Sequence, residues 1–231
     1  MKIGIIGAME EEVRTLKEKA AISRQTTLAS MEFCEGKLGK TEVVIVQCGI
    51  GKVNAGICAQ LLISQFGATH VINTGVAGSL CSNIDIGDLV ISTDAVQHDF
   101  DVSPIGLRKG EIPYTGLFAF PADPMLRDTA VRAVRAAAPE VGVFEGRVCS
   151  GDQFIADPAE KSRIITEFGG LCAEMEGGAI AQVCWLNHVP FVILRAISDK
   201  ADAGEQISFE TFVRMAAERC AAVVEYMVAQ F

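Results

Sequence analysis

The sequence predicts a single α/β domain with three layers, α/β/α, in which a central, mixed and twisted sheet is flanked by helices. Two observations predict this fold. Short apolar runs typical of strands alternate with amphipathic helical stretches along the chain, and such alternation is typical of a sheet covered by helices. The length of 231 residues suits one domain, residues 1–231, and we find no internal repeat or low-complexity segment that would divide it.

The predicted strands and helices follow one another in a regular order. We predict strands at about 2–7, 42–48, 69–75, 88–95, 143–150 and 190–197. We predict helices at about 9–20, 52–66, 123–138, 157–168, 176–188 and 208–229. Residues 98–121 contain proline, glycine and aromatic residues without periodicity, which predicts one long ordered loop. Loops of this length inside a domain are usually functional or lie at an interface.

The composition limits the classes of function. Half of the residues are hydrophobic, but no apolar run approaches the roughly 20 residues that a membrane span needs, and the N-terminus lacks a signal-peptide pattern. The net charge of -9 argues against a nucleic-acid partner and favours a small, neutral or cationic substrate. Eight cysteines without a CxxC pair suit a reducing compartment. We therefore expect a cytoplasmic protein without a membrane partner.

Two glycine-rich segments follow predicted strands. Residues 49–56, Gly-Ile-Gly-Lys-Val-Asn-Ala-Gly, resemble a dinucleotide-binding fingerprint in outline. Their third glycine comes one place late and no acidic residue ends the next strand, so close turn packing is favoured and we expect no cofactor. Residues 73–78, Asn-Thr-Gly-Val-Ala-Gly, could let backbone amides approach a ligand. A tight strand-to-helix turn is an equal alternative for this second segment.

Acidic residues stand at three places where a predicted strand ends or a predicted helix begins. Glu10, Glu11 and Glu12 open a helix, and their carboxylates are favoured near the positive end of the helix dipole. This stabilisation of the helix terminus explains two of the three. At most one or two of them can face the edge of the sheet. In Glu174-Met175-Glu176, an extended backbone would place both carboxylates on one side. One of the two could then bind sugar hydroxyls while the other binds nearby backbone. Such positions at strand ends usually mark a ligand site.

The last predicted strand ends in Arg195-Ala-Ile-Ser-Asp199. Asp199 could cap a following turn or, as a partly buried acid, donate a proton. Phe154 could stack on a planar base, although a single phenylalanine is more often part of a core. The three strand ends together offer carboxylates to one cleft.

Several of these segments together resemble one known family. The segments are Ile3-Gly-Ile-Ile-Gly-Ala-Met-Glu-Glu-Glu-Val13, Gly49-Ile-Gly-Lys-Val53, Asn73-Thr-Gly75, Ser150-Gly-Asp152, Glu174-Met-Glu176 and Arg195-Ala-Ile-Ser-Asp199. In this combination the chain is similar, essentially from end to end, to the 5'-methylthioadenosine/S-adenosylhomocysteine nucleosidases of the nucleoside phosphorylase and hydrolase superfamily. The resemblance implies the nucleoside phosphorylase-like α/β fold.

The resemblance also implies hydrolysis of the bond between adenine and ribose without cofactor or metal. Glu12 would activate water. Asp199, supported by Ser198, would protonate adenine at N7, and Arg195 would help to orient the water. Acidic residues would then stabilise an oxocarbenium-like sugar.

The remaining roles that the resemblance implies concern binding. Glu176 would hold the ribose hydroxyls with Met175 beneath the sugar, Phe154 would stack on adenine, and the backbone of Ile155 would read the base edge. Gly78 would allow close approach of the backbone. Apolar side chains would surround the 5' substituent, namely Met9, Ile50 and Phe209 from the same chain and Val102, Ile105, Leu107 and Pro113 from the neighbouring subunit of a homodimer.

Some positions depart from better-known members of that family. Val76 stands where a small hydroxyl residue is common, and Ile105 and Leu107 are aliphatic where aromatic residues are common. These differences could shift the preference among 5' substituents. For the four loop residues, dimer packing without ligand contact is the alternative.

Three other functions stay open. The phosphorylase branch of the superfamily needs cationic donors for phosphate, but segment 73–78 contains no arginine and Glu12 would repel phosphate, so hydrolysis is favoured. A related nucleosidase could prefer another nucleoside, such as 6-amino-6-deoxyfutalosine or adenosine. A non-catalytic nucleoside-binding protein would not require Glu12, Glu176 and Asp199 together.

Overall fold

The computed structural model describes residues 1–199 and 209–231, with side chains in the second range described from residue 214 onward. The order of strands and helices agrees with the prediction for every predicted element. The helices are α1 Glu10–Lys19, α2 Lys52–Ser64, α3 Pro124–Ala137, α4 Pro158–Phe168, α5 Gly177–Leu186 and α6 Phe209–Val228. The strands are β1 Lys2–Gly7, β2 Ala21–Leu28, β3 Met31–Leu38, β4 Thr41–Gln47, β5 His70–Ser79, β6 Leu89–Gln97, β7 Phe120–Pro121, β8 Val143–Ser150, β9 Cys172–Glu174 and β10 Phe191–Asp199.

The described strands form one mixed sheet, as predicted. Strand β1 pairs in parallel with β4 and β5, and β3 and β2 extend the sheet beyond β4 in antiparallel fashion. On the other side β5 pairs with β10, β10 with β6, β6 with β8, β8 with β9, and β9 pairs back with β5. These five strands therefore close on themselves as a small barrel at one end of the sheet.

Helices cover both faces of the sheet, which confirms the three-layer α/β/α fold. Helices α2 and α5 pack together on one face, whereas α1 and α3 both pack on α6 on the other. Along β1, Ile6 belongs to the core under α2 and α5, and its neighbour Ile5 belongs to the core under α1, α3 and α6. Alternate residues of a central strand thus fill opposite layers, because successive side chains point to opposite faces.

The β2–β3 hairpin was not predicted from the sequence. The outer strand β2 is largely exposed and polar, so it lacks the apolar alternation that indicates a strand. Its turn consists of Ala29 and Ser30, both with positive φ, 49° and 62°. Such hairpin turns usually contain Asn-Gly or Asp-Gly, and neither dipeptide is present here.

Residues 98–121 form the long ordered loop that the sequence predicts. It contains one short 3-10 turn at Ser103–Ile105 and an isolated bridge between Ile112 and Leu117. The loop ends in β7, which pairs with β6. Among the helices in residues 1–199 and 209–231, none combines the length and apolar character that crossing a bilayer requires.

The topology brings several chain segments to one edge of the sheet. The carboxyl ends of the parallel strands β1, β4, β5 and β10 lie there, and β9 runs antiparallel against the end of β5. Opposite β5 the strand β10 carries a bulge, since Ile197 pairs with Ala77 and Asp199 with Gly78, which leaves Ser198 as the extra residue. A bulge at such a position redirects side chains, and here it places Asp199 beside Gly78.

Candidate active site

A cleft opens at this edge of the sheet. It brings together most of the residues predicted from the sequence. Those that line it are Met9, Glu12, Ile50, Gly78, Phe154, Ile155, Met175, Glu176, Arg195, Ser198 and Asp199. The prediction that three strand ends contribute carboxylates to one cleft agrees with this geometry.

Four of the remaining predicted residues do not line the cleft of the single chain. Val102, Ile105, Leu107 and Pro113 lie in the 98–121 loop, where the Ile105 side chain is exposed. The side chain of Phe209 lies outside the described residues.

The Glu12 carboxylate lies deep in the cleft. Its Oε2 accepts hydrogen bonds from the amides of Ala8 at 2.7 Å and Met9 at 3.0 Å, and its Oε1 accepts one from the amide of Val76 at 3.1 Å. Burial raises the pKa of Glu12, and the opposing effects of Arg195 and these amides do not cancel the rise. A carboxylate with a raised pKa is suited to accept a proton near neutral pH.

The two other acids of the same helix turn face outward. Glu10 pairs with Lys17 at 3.0 Å, and the more exposed Glu11 lies 3.7 Å from Arg14. Their position at the start of α1 favours them electrostatically. The geometry therefore separates one buried carboxylate from two that stabilise the helix terminus.

Glu174 is fully occupied by structural contacts. Its Oε2 accepts from the amides of Glu176 at 3.2 Å and Gly177 at 2.8 Å and from Arg195 Nη2, and its Oε1 accepts from the Ser150 hydroxyl. Of the two acids in this segment, Glu174 is the one that binds the backbone amides of its own segment. It anchors the start of α5 and the guanidinium group of Arg195.

Glu176 is held more loosely. Its Oε1 accepts from the amide of Gly51 at 3.0 Å, and its Oε2 lies 3.5 Å from Arg195 Nη2. Burial raises the pKa of Glu176 to about 7, with Arg195 opposing the rise and the nearby Glu174 charge adding to it. Gly51 adopts a φ of 98° to present its amide, which a residue with a side chain rarely adopts. The first glycine-rich segment thus forms a turn that binds Glu176.

Arg195 lies at the centre of the acidic side of the cleft. Its Nη2 donates to Asn73 Oδ1 at 2.6 Å, and its Nε is buried without a hydrogen-bond partner among the described residues. Burial disfavours the charged form, but Glu174, Glu176 and Glu12 outweigh it and raise the pKa of Arg195. The guanidinium group therefore stays cationic.

Gly75 makes the close approach of Glu12 and Arg195 possible. A Cβ atom on Gly75 would lie 2.5 Å from Glu12 Oε1 and even closer to Arg195 Nη1. In the second glycine-rich segment, this glycine therefore provides space between two side chains.

Asp199 also lines the cleft, and its carboxylate lies beside Gly78. Its Oδ1 is 3.1 Å from the Ser198 hydroxyl, which also lies 3.2 Å from the Ala77 carbonyl oxygen. Its Oδ2 accepts from Lys161 Nζ at 2.8 Å. With its side chain 45% exposed, Asp199 remains accessible from the cleft.

Lys161, the ion-pair partner of Asp199, was not predicted as a site residue from the sequence. This residue belongs to α4 and is buried on the same face as Ile164 and Phe168. The spacing of three and four residues is that of a helix stripe that faces the core. A lysine at a position where this spacing predicts an apolar residue is the feature of the sequence that could have indicated a role for Lys161. Lysine is rarely buried unless it is paired.

The rest of the cleft is apolar. Met9, Ile50, Ile155 and Met175 contribute to it, and the Phe154 side chain lies at the rim, 74% exposed. A large exposed aromatic ring beside a cleft is suited to cover a planar ligand. The cleft thus combines an acidic side, suited to hydroxyl groups, with an apolar side.

Comparisons with known proteins agree with this geometry. The family profile of the Phosphorylase superfamily matches residues 2–229. The chain is 41% identical over 232 aligned positions to a 5'-methylthioadenosine/S-adenosylhomocysteine nucleosidase of Anoxybacillus flavithermus, covering 99% of this chain and 98% of that protein.

Solved structures show the same relationship. The nucleosidase of this name from Neisseria meningitidis, in complex with methylthio-immucillin-A, has a TM-score of 0.94 and 36% identity, covering 100% of this chain and 99% of that chain. A futalosine hydrolase of Helicobacter pylori has a TM-score of 0.92 and 32% identity, covering 100% and 98%. The chain therefore belongs to the Phosphorylase superfamily and, within it, to the family of 5'-methylthioadenosine/S-adenosylhomocysteine nucleosidases.

Proposed function

We propose that the chain hydrolyses the N-glycosidic bond of 5'-methylthioadenosine and S-adenosylhomocysteine, and also of 5'-deoxyadenosine, releasing adenine and the corresponding 5-substituted ribose. One observation carries the proposal. Glu12, Glu176 and Asp199 come from three separate segments, and all three line one cleft together with Arg195.

Glu12 would act as the general base. Three backbone amides hold its carboxylate in place, and burial makes it a better proton acceptor than an exposed glutamate. It takes one proton from water while the water oxygen forms a bond to C1' of the ribose. Arg195, which lines the same cleft, would help to orient that water.

Glu176 would bind the ribose. Its side chain lines the cleft and shares Arg195 with Glu174. Within the described part of the chain, its oxygens have only the Gly51 amide and a long contact to Arg195 as partners. A carboxylate can accept hydrogen bonds from two adjacent hydroxyls. Met175 would pack beneath the sugar, and the negative charge would stabilise the cationic character of the sugar in the transition state.

Asp199 would act as the general acid. It donates its proton to N7 of adenine while the bonding electron pair of C1'–N9 moves into the ring, so adenine departs neutral. Phe154 at the rim would stack on the base, and the backbone of Ile155 would bind its edge. Ser198, 3.1 Å from Asp199 Oδ1, would orient the acid.

The charge of the cleft favours water over phosphate as the nucleophile. Segment 73–78 contains no arginine, but Arg195 donates a hydrogen bond to Asn73 of this segment. Three carboxylates, Glu12, Glu174 and Glu176, surround that single arginine. The surplus of negative charge would repel a phosphate anion, which a phosphorylase must bind with cationic donors.

We further propose a cytoplasmic homodimer. All eight cysteines lie in the described residues and are free, which suits a reducing compartment. Exposed apolar side chains lie on α2 and in the 98–121 loop, namely Val53, Ile57, Ile105 and Tyr114. A second copy that covers this surface would bring Val102, Ile105, Leu107 and Pro113 to the apolar end of the neighbouring cleft.

A second candidate substrate is 6-amino-6-deoxyfutalosine. The likeness to a futalosine hydrolase over 100% of this chain supports it. The loop residues Ile105 and Leu107 are aliphatic, and a larger 5' substituent could pack against them. Both candidates use the same reaction and differ only at the 5' end of the nucleoside.

The direct test is adenine release from 5'-methylthioadenosine, S-adenosylhomocysteine, 6-amino-6-deoxyfutalosine and adenosine, each with and without phosphate. Chromatography with mass detection identifies the sugar product. We expect free methylthioribose and ribosylhomocysteine without phosphate. A sugar 1-phosphate that forms only with phosphate would contradict hydrolysis, and no release from any substrate would contradict catalysis.

A further inference from the structure

Lys161 occupies an unusual position for a charged residue. Its side chain is 9% exposed and its ammonium group lies 2.8 Å from Asp199 Oδ2. Burying an ammonium group costs free energy unless a partner compensates it. Helix α4 is amphipathic, and an apolar residue at this core-facing position would pack against Ile164 and Phe168 without that cost. We therefore expect Lys161 to have a role that an apolar residue could not have.

We propose that Lys161 is a positioning residue for Asp199, which orients its carboxyl group and stabilises the carboxylate that remains after proton transfer to the leaving base. This inference rests on the proposed function, because it concerns the acid of that reaction. Lys161 would thus take part in the reaction through Asp199, although it does not line the cleft.

The geometry distinguishes the two oxygens of Asp199. Lys161 Nζ binds Oδ2, whereas among the described residues Oδ1 has only the Ser198 hydroxyl, at 3.1 Å. That hydroxyl has one proton and a second acceptor within reach, the Ala77 carbonyl oxygen at 3.2 Å. Oδ1 is therefore the oxygen available to adenine, and the ion pair at Oδ2 keeps it turned toward the cleft.

The charge of Lys161 acts on the transition state. When the Asp199 Oδ1–H bond breaks and the N7–H bond forms, negative charge develops on Asp199, while Lys161 keeps all of its protons. A buried ammonium group at 2.8 Å stabilises that developing charge more than it stabilises the neutral acid. Interactions of this kind, stronger in the transition state than in the bound substrate, raise kcat.

The position of α4 strengthens the connection. The helix begins at Pro158, and the Asp157 side chain caps it by accepting from the amide of Ala159 at 3.0 Å. Directly before it, residues 153–155 line the cleft. One continuous segment therefore carries both the proposed adenine contacts and the lysine that binds the acid.

The test compares two substrates in the full-length protein. In 5'-methylthioadenosine the leaving base needs a proton, whereas 4-nitrophenyl 5-methylthioriboside releases a stable phenolate that needs none. For Lys161→Met we expect kcat on 5'-methylthioadenosine to fall about 10- to 100-fold with little change in KM, and kcat on the nitrophenyl substrate to stay within about twofold of the wild type. Equal loss on both substrates, or no loss on either, would overturn the proposal.

Two controls separate this result from other causes. Arg163→Met removes an ion-paired cation from the same helix, where Arg163 binds Glu160 and Glu167, and should leave the ratio of the two kcat values unchanged. In an Asp199→Asn background, Lys161→Met should cause no further loss on 5'-methylthioadenosine; a full additional loss would overturn the proposal. Wild-type adenine release in the same assay tests the proposed function separately.

Discussion

Arg195 and Glu174 form an ion pair in which both side chains are almost entirely buried, 1% and 2% exposed. Glu174 also binds two backbone amides and the Ser150 hydroxyl. Buried ion pairs are stabilising only when further hydrogen bonds satisfy both groups; here the Glu174 carboxylate and Arg195 Nη2 have further partners, whereas Arg195 Nε has none among the described residues. Glu174 thus holds Arg195 in place, which leaves Glu12 and Glu176 as the carboxylates of this side of the cleft with capacity for ligand.

Substitution of Glu12 tests its proposed role as the general base. For Glu12→Gln we expect turnover of 5'-methylthioadenosine to fall by about 10²-fold or more, because the amide cannot accept the proton of water. Adenine binding, measured by calorimetry, should change little. Glu11→Gln is the matched control, since Glu11 belongs to the same helix turn but is exposed, and it should keep wild-type turnover. Near-normal turnover of Glu12→Gln would remove Glu12 from this role.

Much of this site could be anticipated from the sequence, because the parallel strands end in short segments rich in glycine and acidic residues. It could not be anticipated that Glu174 binds the amides of its own segment whereas Glu176 binds the amide of Gly51. These contacts depend on how the three-residue strand β9 pairs with the end of β5. The same strand closes the barrel, and three residues carry no periodicity. Lys161 was missed because its partner Asp199 lies 38 positions away along the chain.

Gly75 provides a test of packing inside the site. For Gly75→Ala we expect loss of most activity and a lower melting temperature, because the new methyl group would overlap Glu12 Oε1 and Arg195 Nη1. Overpacking of this kind typically costs about 1–3 kcal/mol. Gly56→Ala is the control, since the added Cβ in α2 would have its nearest neighbour at 3.9 Å. Equal activity of the two variants would show that Glu12 and Arg195 need not approach each other closely.

The raised pKa of Glu176 predicts a dependence of stability on pH. The carboxyl group has a usual value of 4.5 and a pKa of about 7 in the folded chain. Between these values the folded chain binds more protons at Glu176 than the unfolded chain, so the free energy of unfolding falls as the pH rises. The contribution is fully present below pH 4.5 and is lost as the pH passes about 7.

Thermal unfolding between pH 5 and pH 8 measures this effect. Glu176→Gln stays neutral throughout, so its melting temperature should fall less over this interval than that of the wild type. The difference should be several degrees, because about 1 kcal/mol shifts the melting temperature by about 2–4 °C in a chain of this size. Glu42→Gln, at an exposed position of β4, should follow the wild type. Parallel curves for Glu176→Gln and the wild type would contradict the raised pKa.

Mixing two defective chains tests the proposed sharing of the cleft between subunits. Ile105→Asp places a charge where the 5' thioether of the partner's substrate would lie, so we expect a KM for 5'-methylthioadenosine at least about tenfold higher. Glu12→Gln homodimers should be nearly inactive. After subunit exchange, each mixed dimer has one cleft with its own Glu12 and with Ile105 from the other chain. About a quarter of all clefts should then regain the wild-type KM if the chains mix at random.

Analytical ultracentrifugation confirms that both variants remain dimers. Activity equal to the sum of the separate homodimers would show that Ile105 does not complete the neighbouring cleft.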